Sequence, residues 1–435
     1  MFSYVESRGG LYSKTVFFGL QYFLKEYLDQ RITVADLCDA RDFFKEHGEP
    51  FNFEGWAKVV AKTANFDGLP VRIRALPEGS VVPTHVPLVT IESTDPETFW
   101  LVSWLETALL RVWYPTTVAT ISWHIRQVIY DFLCRTSDDP DAEIDFKLHD
   151  FGSRGVSSQE SAGIGGAAHL VNFKGSDTVV GVLTANRYYN DKMAGFSIPA
   201  SEHSSITSWG RAHEGDAYAN MIDRFGKPGA IFACVSDSYD IYDAVDRLWG
   251  TDLRERVIKS GATLVVRPDS GDPRTVVTEV LHRLESKFGS VINSQGFKVL
   301  NNVRVIQGDG INENSVQKIL ESVTDTGFSA SNIAFGMGGA LLQQLNRDTQ
   351  KFAMKCSSVT VDGKERDVYK DPVTDSGKRS KAGRLDVIRE FDQYKAVTLG
   401  QGQLHHPASE MVTVYDSGIK HQHDFHEIRA RALLK

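Results

Sequence analysis

The chain has 435 residues, 41% hydrophobic and 24% charged, which is an ordinary soluble globular composition. Its formal charge of −8 excludes a polyanion binder as a whole, so any phosphate recognition must come from local basic clusters. The length suits about two to three domains, although one α/β barrel can take ~250 residues by itself. No window carries a long uncharged apolar stretch of the kind a membrane span needs, and the start, MFSYVESRGG, lacks the pattern of a secretory signal. Cys38, Cys134, Cys234 and Cys356 form no CxxC pair. That argues for a reducing, cytoplasmic compartment and against a disulfide framework or a thiolate zinc site.

In chain order, VFFGLQYFLKEYL (16–28) has helical apolar spacing. VRIRAL (71–76) alternates as a half-exposed strand, and LPEGSVVP (76–83) is a turn into a second strand, VPLVTIE (86–92). DPETFWLVSWLETALLRVWYP (95–115) reads as one helix stopped by Pro115, and HIRQVIYDFLCR (124–135) as another. From about residue 145 the rhythm becomes strand then helix. The expected strands are FKLHDFG (146–152), DTVVGVL (177–183), AIFACVSD (230–237), TLVVRPD (263–269), VRVIQGD (303–309) and NIAFGMGG (332–339). Such runs suit a parallel sheet buried on both faces. Six units with polar strand-end loops favour a β/α barrel over a doubly wound sheet, with its site at the carboxyl ends of the strands. The last stretch is polar and broken, with a basic loop at 371–384 and a terminal helix, FHEIRARALLK.

LVVRPDSGDP (264–273) is the most telling segment, because an apolar run delivers Arg267 and Asp269 at its end. A buried charge is costly unless paired or liganded, so these residues mark a salt-bridged corner or the rim of a site. VIQGDG (305–310) and FGMGGALLQ (335–343) each run from strand through glycines to helical pattern, a candidate anion loop. Arg347, Lys355, Lys370, Lys378, Arg379, Lys381 and Arg384 follow, which reads as counter-charge for a polyphosphate or as a solvated loop. His203 beside Glu202 competes for a role as acid, base or phosphate acceptor. Asp237, Asp240, Asp269 and Asp309 place carboxylates at successive strand ends, suited to Mg²⁺ shared with a diphosphate and to ribose hydroxyls. The late histidines, from His405 to His426, read as solvated surface.

KLHDFGSRGVSSQESAGIGGAAHLVNFKGSDTV, SIPASEHSSITSWG, VSDSYDIY, VVRPDSGDP, VIQGDG, NIAFGMGG and KDPVTDSGKRSKAGRL, with earlier blocks such as STDPETFWLVSWLET and WYPTTVAT, resemble the nicotinamide phosphoribosyltransferase family over nearly the whole chain. The resemblance implies an irregular TIM-like β/α barrel at 141–349 and a second α+β domain built from 1–140 and 350–435. It implies transfer of phosphoribose from 5-phosphoribosyl 1-diphosphate to nicotinamide in NAD salvage, with Mg²⁺ and with ATP coupled through a phosphohistidine. The partners implied are small-molecule substrates and a second copy of the chain in a homodimer with shared sites, with no nucleic acid and no membrane.

By resemblance, Phe151 stacks on the base and Asp177 and Arg267 hold its amide. His203, Asp269 and Asp309 are the catalytic set; Arg8, Arg154, Gly308, Gly338, Gly339, Arg347, Lys355 and Lys378 serve phosphate or diphosphate. Ser236 and Asp240 lie near the ribose, with Asp240 and Asp269 toward Mg²⁺. The family also carries an upstream Asp-x-Tyr-Lys segment whose Tyr sandwiches the base across the dimer, whereas this chain is given from MFSYVESRGG; Met337 stands where a small residue is common. The competing expectations are a nicotinate-specific enzyme, which Asp177 opposes, and a weakly active dimeric binding homologue. A sugar-phosphate aldolase or lyase would need a Schiff-base Lys at a strand end, where this chain has Asp, Arg and Gly.

Overall fold

In a computed structural model of the chain, residues 1–63, 68–374 and 379–433 are described. The chain divides into two compact units. One comprises Met1–Thr120, Thr184–Lys192 and Leu345–Lys435; the other comprises Ile121–Leu183 and Met193–Gln344. No sequence rhythm signalled the return of 184–192 to the first unit.

The first unit is built on a six-stranded antiparallel sheet in the order Lys364–Asp367, Phe352–Val361, Phe2–Ser7, Pro87–Ser93, Val71–Ala75, Val412–Asp416. Strands from both ends of the sequence thus share one sheet. Val71–Ala75 alternates buried and half-buried residues, as its apolar-basic alternation requires. Two expected helices are corrected. In the expected helix 16–28, Val16 ends the short strand Lys14–Val16, and the helical run starts only at Leu20, after Gly19 with φ 105°. Segment 95–115 is a series of short helical turns, and Pro115 sits in the first turn of the long helix Trp113–Thr136. A proline lacks only an N–H that a first turn leaves unpaired anyway, so it opens a helix as readily as it ends one.

The second unit holds a parallel sheet, ordered Gly175–Ser176, Leu148–Asp150, Ile333–Met337, Val303–Gln307, Thr263–Arg267, Ile231–Val235. Its two edge strands are bridged to one irregular segment. Phe196 pairs with Gly175 and Ala200 with Ala233, through Ser176 N–H to Phe196 O at 2.9 Å and Ser201 N–H to Ala233 O at 3.0 Å. The inner face carries Ala233, Val265 and Ile306, with Phe151, Ile198 and Ala334 packed on them. Parallel strands end at the same side, so the residues after each strand converge there.

Four of the six expected strands fall where the apolar runs place them, at 231–235, 263–267, 303–307 and 333–337, and the 146–152 run supplies Leu148–Asp150. The 177–183 run does not: it opens the helix Val179–Tyr189. A short apolar run has no decisive period, and here close helix packing decides the outcome. A Cβ on Gly181 would lie 2.8 Å from the backbone of Gly166, in the helix Gln159–Leu170. Replacing Gly181 with Ala is therefore expected to lower unfolding stability by about 1–3 kcal/mol, the usual cost of overpacking. Urea unfolding of the variant checks this, and an unchanged midpoint would contradict the tight crossing.

Candidate active site

Phe151 immediately follows its strand and is tied to the neighbouring one by its N–H to Met337 O at 2.9 Å. Its ring lies over Gly336, where a Cβ would sit only 2.0 Å from ring carbon Cε2. Glycine at 336 is what leaves room for the ring. A Cβ on Gly308 would lie 3.5 Å from the same ring carbon, 3.0 Å from Asp269 Oδ1 and 3.7 Å from Arg267 Nε. The guanidinium of Arg267 is 5.8 Å from the ring centroid. The strand ends therefore bring Phe151, Arg267, Asp269 and Gly308 together around one flat aromatic surface.

The charges at the end of 263–267 pair with each other: Arg267 donates to Asp269 Oδ2 at 2.6 Å. Arg267 Nε remains buried without a hydrogen bond, and a buried unpartnered donor is costly. It is an available donor beside the ring. Asp177 lies on the turn after Gly175–Ser176 and is exposed; one of its oxygens accepts from the Ser197 hydroxyl. Its own N–H donates to Asp150 O at 2.9 Å.

His203 stands at the start of the short helix His203–Thr207 and is 45% exposed. Its Nε2 meets Asp237 Oδ1 at 2.9 Å and its Nδ1 lies 4.0 Å from Asp269 Oδ2. Asp237 is in turn held by Ser270, which donates to Oδ2 at 2.6 Å. The imidazole is thus oriented by a carboxylate, with a second one close to its other nitrogen. Asp309 is exposed at its strand end, where its carbonyl accepts from Gln307 Nε2 at 3.0 Å.

The Gly338–Gly339 loop opens the short helix Gly339–Leu342. No atom lies within 4 Å of the position a Cβ on Gly339 would take. The glycine is thus not demanded by crowding inside the chain, and the open space suits an approaching ligand. Arg154, exposed on the turn Ser153–Gly155, belongs to the same corner, since a Cβ on Gly155 would lie 3.5 Å from Gly339 Cα.

Other sequence-named residues lie elsewhere. Ser236 is fully buried; it donates to Cys234 O at 3.0 Å and accepts from Trp249 Nε1 at 3.0 Å, so its hydroxyl is committed to the fold. Asp240 caps a helix, its Oδ1 accepting from the N–H groups of Tyr242 and Asp243 at 2.9 and 3.1 Å. Arg8, Arg347 and Lys355 belong to the first unit. Arg8 lies 3.6 Å from Glu6 and keeps two buried nitrogens without hydrogen bonds. Arg347 Nη1 donates to Phe352 O at 3.0 Å, and Lys355 Nζ to Met354 O at 2.7 Å. Lys378 lies outside the described residues.

Sequence reasoning named Asp237 only as a strand-end carboxylate, did not name Ser197, and gave no role to Gly336 or Asp150. The signal for Asp237 was its place two residues after an apolar run; Ser197 gave none, because the segment bridging the sheet edges has no strand pattern. At the amino ends of the strands, marked by Ile231, Thr263 and Ile333, lies an open cavity of about 570 Å³. It is lined by His149, Ile198, Val265, Arg304 and Ile306 among others, and burial holds the His149 imidazole below its ordinary pKa.

The family model described as "Nicotinate phosphoribosyltransferase (NAPRTase) family" matches residues 146–414, and that of "Nicotinamide phosphoribosyltransferase, N-terminal domain" matches 1–73. The chain belongs to the nicotinate phosphoribosyltransferase family. A nicotinamide phosphoribosyltransferase of Xanthomonas campestris pv. campestris is 57% identical over 99% of this chain and 93% of its own length. One from Acinetobacter baylyi is 32% identical over 93% of this chain and 85% of its own length.

Two solved structures share the phosphoribosyltransferase fold. The nicotinate-nucleotide pyrophosphorylase of Pyrococcus furiosus has a TM-score of 0.59 at 18% identity, over 99% of this chain and 88% of that one. Human nicotinic acid phosphoribosyltransferase has a TM-score of 0.55 at 17% identity, with the same coverage of both chains.

The seating of the ring gives a direct test. Replacing Gly336 with Ala must displace Phe151, since 2.0 Å is far inside van der Waals contact. A crystal structure of the variant is expected to show the ring rotated off the strand; an unmoved ring would contradict the packing described here.

Proposed function

We propose that this chain transfers the 5-phosphoribosyl group of 5-phosphoribosyl 1-diphosphate to nicotinamide, giving nicotinamide mononucleotide and diphosphate. The observation that carries the reading is the grouping of Phe151, Arg267 and Asp269 on one aromatic surface, in a chain 57% identical to a nicotinamide phosphoribosyltransferase. A flat pyridine suits the Phe151 face, with stacking worth roughly 0.5–1.5 kcal/mol beyond burial. Arg267 donates to the amide oxygen and Asp177 accepts from the amide nitrogen. A nicotinate carboxylate would face Asp177 with like charge, which favours the amide.

The pyridine nitrogen attacks C1′ of the ribose as the bond from C1′ to the diphosphate breaks. The nitrogen has no proton to lose, so no general base is required. Asp269 and Asp309 stabilise the positive charge that develops on the ribose. Arg154 and the Gly338–Gly339 loop take the 5′-phosphate. Carboxylate oxygens are the donors Mg²⁺ prefers, and Asp269 and Asp240 would each offer one oxygen, the other being committed to Arg267 and to a helix cap respectively. When bound, Mg²⁺ neutralises the leaving diphosphate. His203, oriented by Asp237, is the phosphate acceptor through which ATP stimulates the reaction.

The finer architecture belongs to the same reading. The segment 196–201, bridged to both edge strands, supports an irregular closed barrel. The shared antiparallel sheet supports a second α+β domain drawn from both ends of the chain. Val179 and Leu183, 67% and 54% exposed, with exposed Phe146 and Phe196, support a homodimer. Among the described residues no helix is long and apolar enough to cross a membrane, and all four cysteines are free, which supports a cytoplasmic enzyme.

The purified chain is expected to form mononucleotide from nicotinamide far faster than from nicotinate at equal concentrations. Asp177→Asn is expected to narrow the preference in kcat/KM by at least about tenfold, or about 1.4 kcal/mol; an unchanged ratio would remove Asp177 from base selection. For the ATP step, γ-labelled ATP is expected to label the wild-type chain and not His203→Ala, with loss of the ATP-dependent rise in turnover. Equal labelling of both would assign the phosphate to another residue.

A further inference from the structure

Asp150 is the last residue of its strand and is fully buried. It precedes Phe151, and strand alternation sends its side chain to the opposite face of the sheet. There its Oδ1 accepts the N–H of Gly152 at 2.7 Å. Its main-chain oxygen accepts the N–H of Asp177 at 2.9 Å. The side chain thus fixes the backbone just after the ring residue and meets the Thr178 hydroxyl next to Asp177, while the main chain of the same residue holds Asp177 itself.

The environment leaves that carboxylate little freedom. A Cβ on Gly166 would lie 3.3 Å from Oδ2, and one on Gly152 3.0 Å from Oδ1. Asp150 thus sits where the Gly166 and Gly181 helices cross, with the Thr178 side chain also 3.0 Å from that Gly166 position. Burial pushes the carboxyl up to about 6 against the pull of the Gly152 N–H and the Thr178 hydroxyl. A carboxyl held at this cost, where an apolar residue would fill the crossing more cheaply, does more than fill space.

We propose that Asp150 is a positioning residue for base binding, which holds the Phe151 ring and the Asp177 carboxylate in register without touching the substrate. The proposal rests on the reading of Phe151 and Asp177 as the base site. Its chemistry predicts a selective effect. Loosening the 150–152 turn and the 176–178 turn alters the surface that meets the pyridine, whereas the Gly338–Gly339 loop keeps the hydrogen bonds of its own helical turn, Leu341 N–H to Gly338 O at 3.0 Å and Gln343 N–H to Gly339 O at 2.8 Å.

The test is steady-state kinetics on the full chain with nicotinamide and 5-phosphoribosyl 1-diphosphate varied separately, for wild type, Asp150→Ala, Asp150→Asn and Phe151→Ala. Asp150→Ala is expected to raise the KM for nicotinamide about tenfold, with the KM for the phosphoribosyl donor changed less than twofold. Asp150→Asn keeps the Oδ1 acceptor and is expected to restore most of the nicotinamide KM. Should Asp150→Ala not fold, Asp150→Glu, which keeps the charge but moves the acceptor by one methylene, is expected to show the same selective rise. An unchanged nicotinamide KM in Asp150→Ala, equal rises in both KM values, or no rescue by Asn would overturn the proposal. If Phe151→Ala raises the nicotinamide KM while Asp150→Ala does not, only the role of Asp150 falls. If Phe151→Ala leaves it unchanged, the base-site reading falls and this proposal with it.

Discussion

The Phe151 ring occupies the volume that a Cβ on Gly336 would need, and the candidate site is organised around that contact. The ring forms the inner end of the apolar layer Ala233, Val265 and Ile306 and at the same time the floor of the polar rim. Parallel pairing makes this possible. Phe335 pairs with Leu148 and Met337 with Asp150, so the strand carrying Gly336 runs beside the one that delivers Phe151. A glycine at any other position of that strand would leave the ring without its seat.

The rim then follows from electrostatic necessity. Arg267 leaves a buried strand and is 16% exposed, so it requires a partner, which Asp269 supplies. Asp269 faces His203, whose other nitrogen is held by Asp237, itself fixed by Ser270. Each charge is thus oriented by the next, and residues from two adjacent strand ends and one connecting helix form a single polar network. Such preorganised dipoles act on developing charge without reorganising during the reaction.

Much of this was legible in the sequence because buried parallel strands write themselves as apolar runs ending in polar residues. Arg267, Asp269, Gly308 and Gly338 all lie where such runs end. The 177–183 run misled for the same reason: VVGVL is apolar and β-branched, yet Gly181 serves a helix crossing that only the packed structure shows. Pro115 misled because a proline stops one helix and opens another with equal ease. Ser236 and Asp240 carry suitable chemistry at suitable positions, but a tryptophan and a helix cap claim their polar atoms. Whether a polar group is spent locally depends on neighbours distant in sequence, as with Trp249 and Ser236. Ser197 was invisible because the segment that bridges the sheet edges pairs through isolated contacts rather than a regular ladder.

The most direct measurement is a crystal structure of the chain with nicotinamide mononucleotide bound. The account predicts the pyridine ring face-to-face with Phe151, its amide between Asp177 and Arg267, and its phosphate against Gly338, Gly339 and Arg154. A pyridine ring bound away from Phe151, with its amide on neither Asp177 nor Arg267, would contradict it.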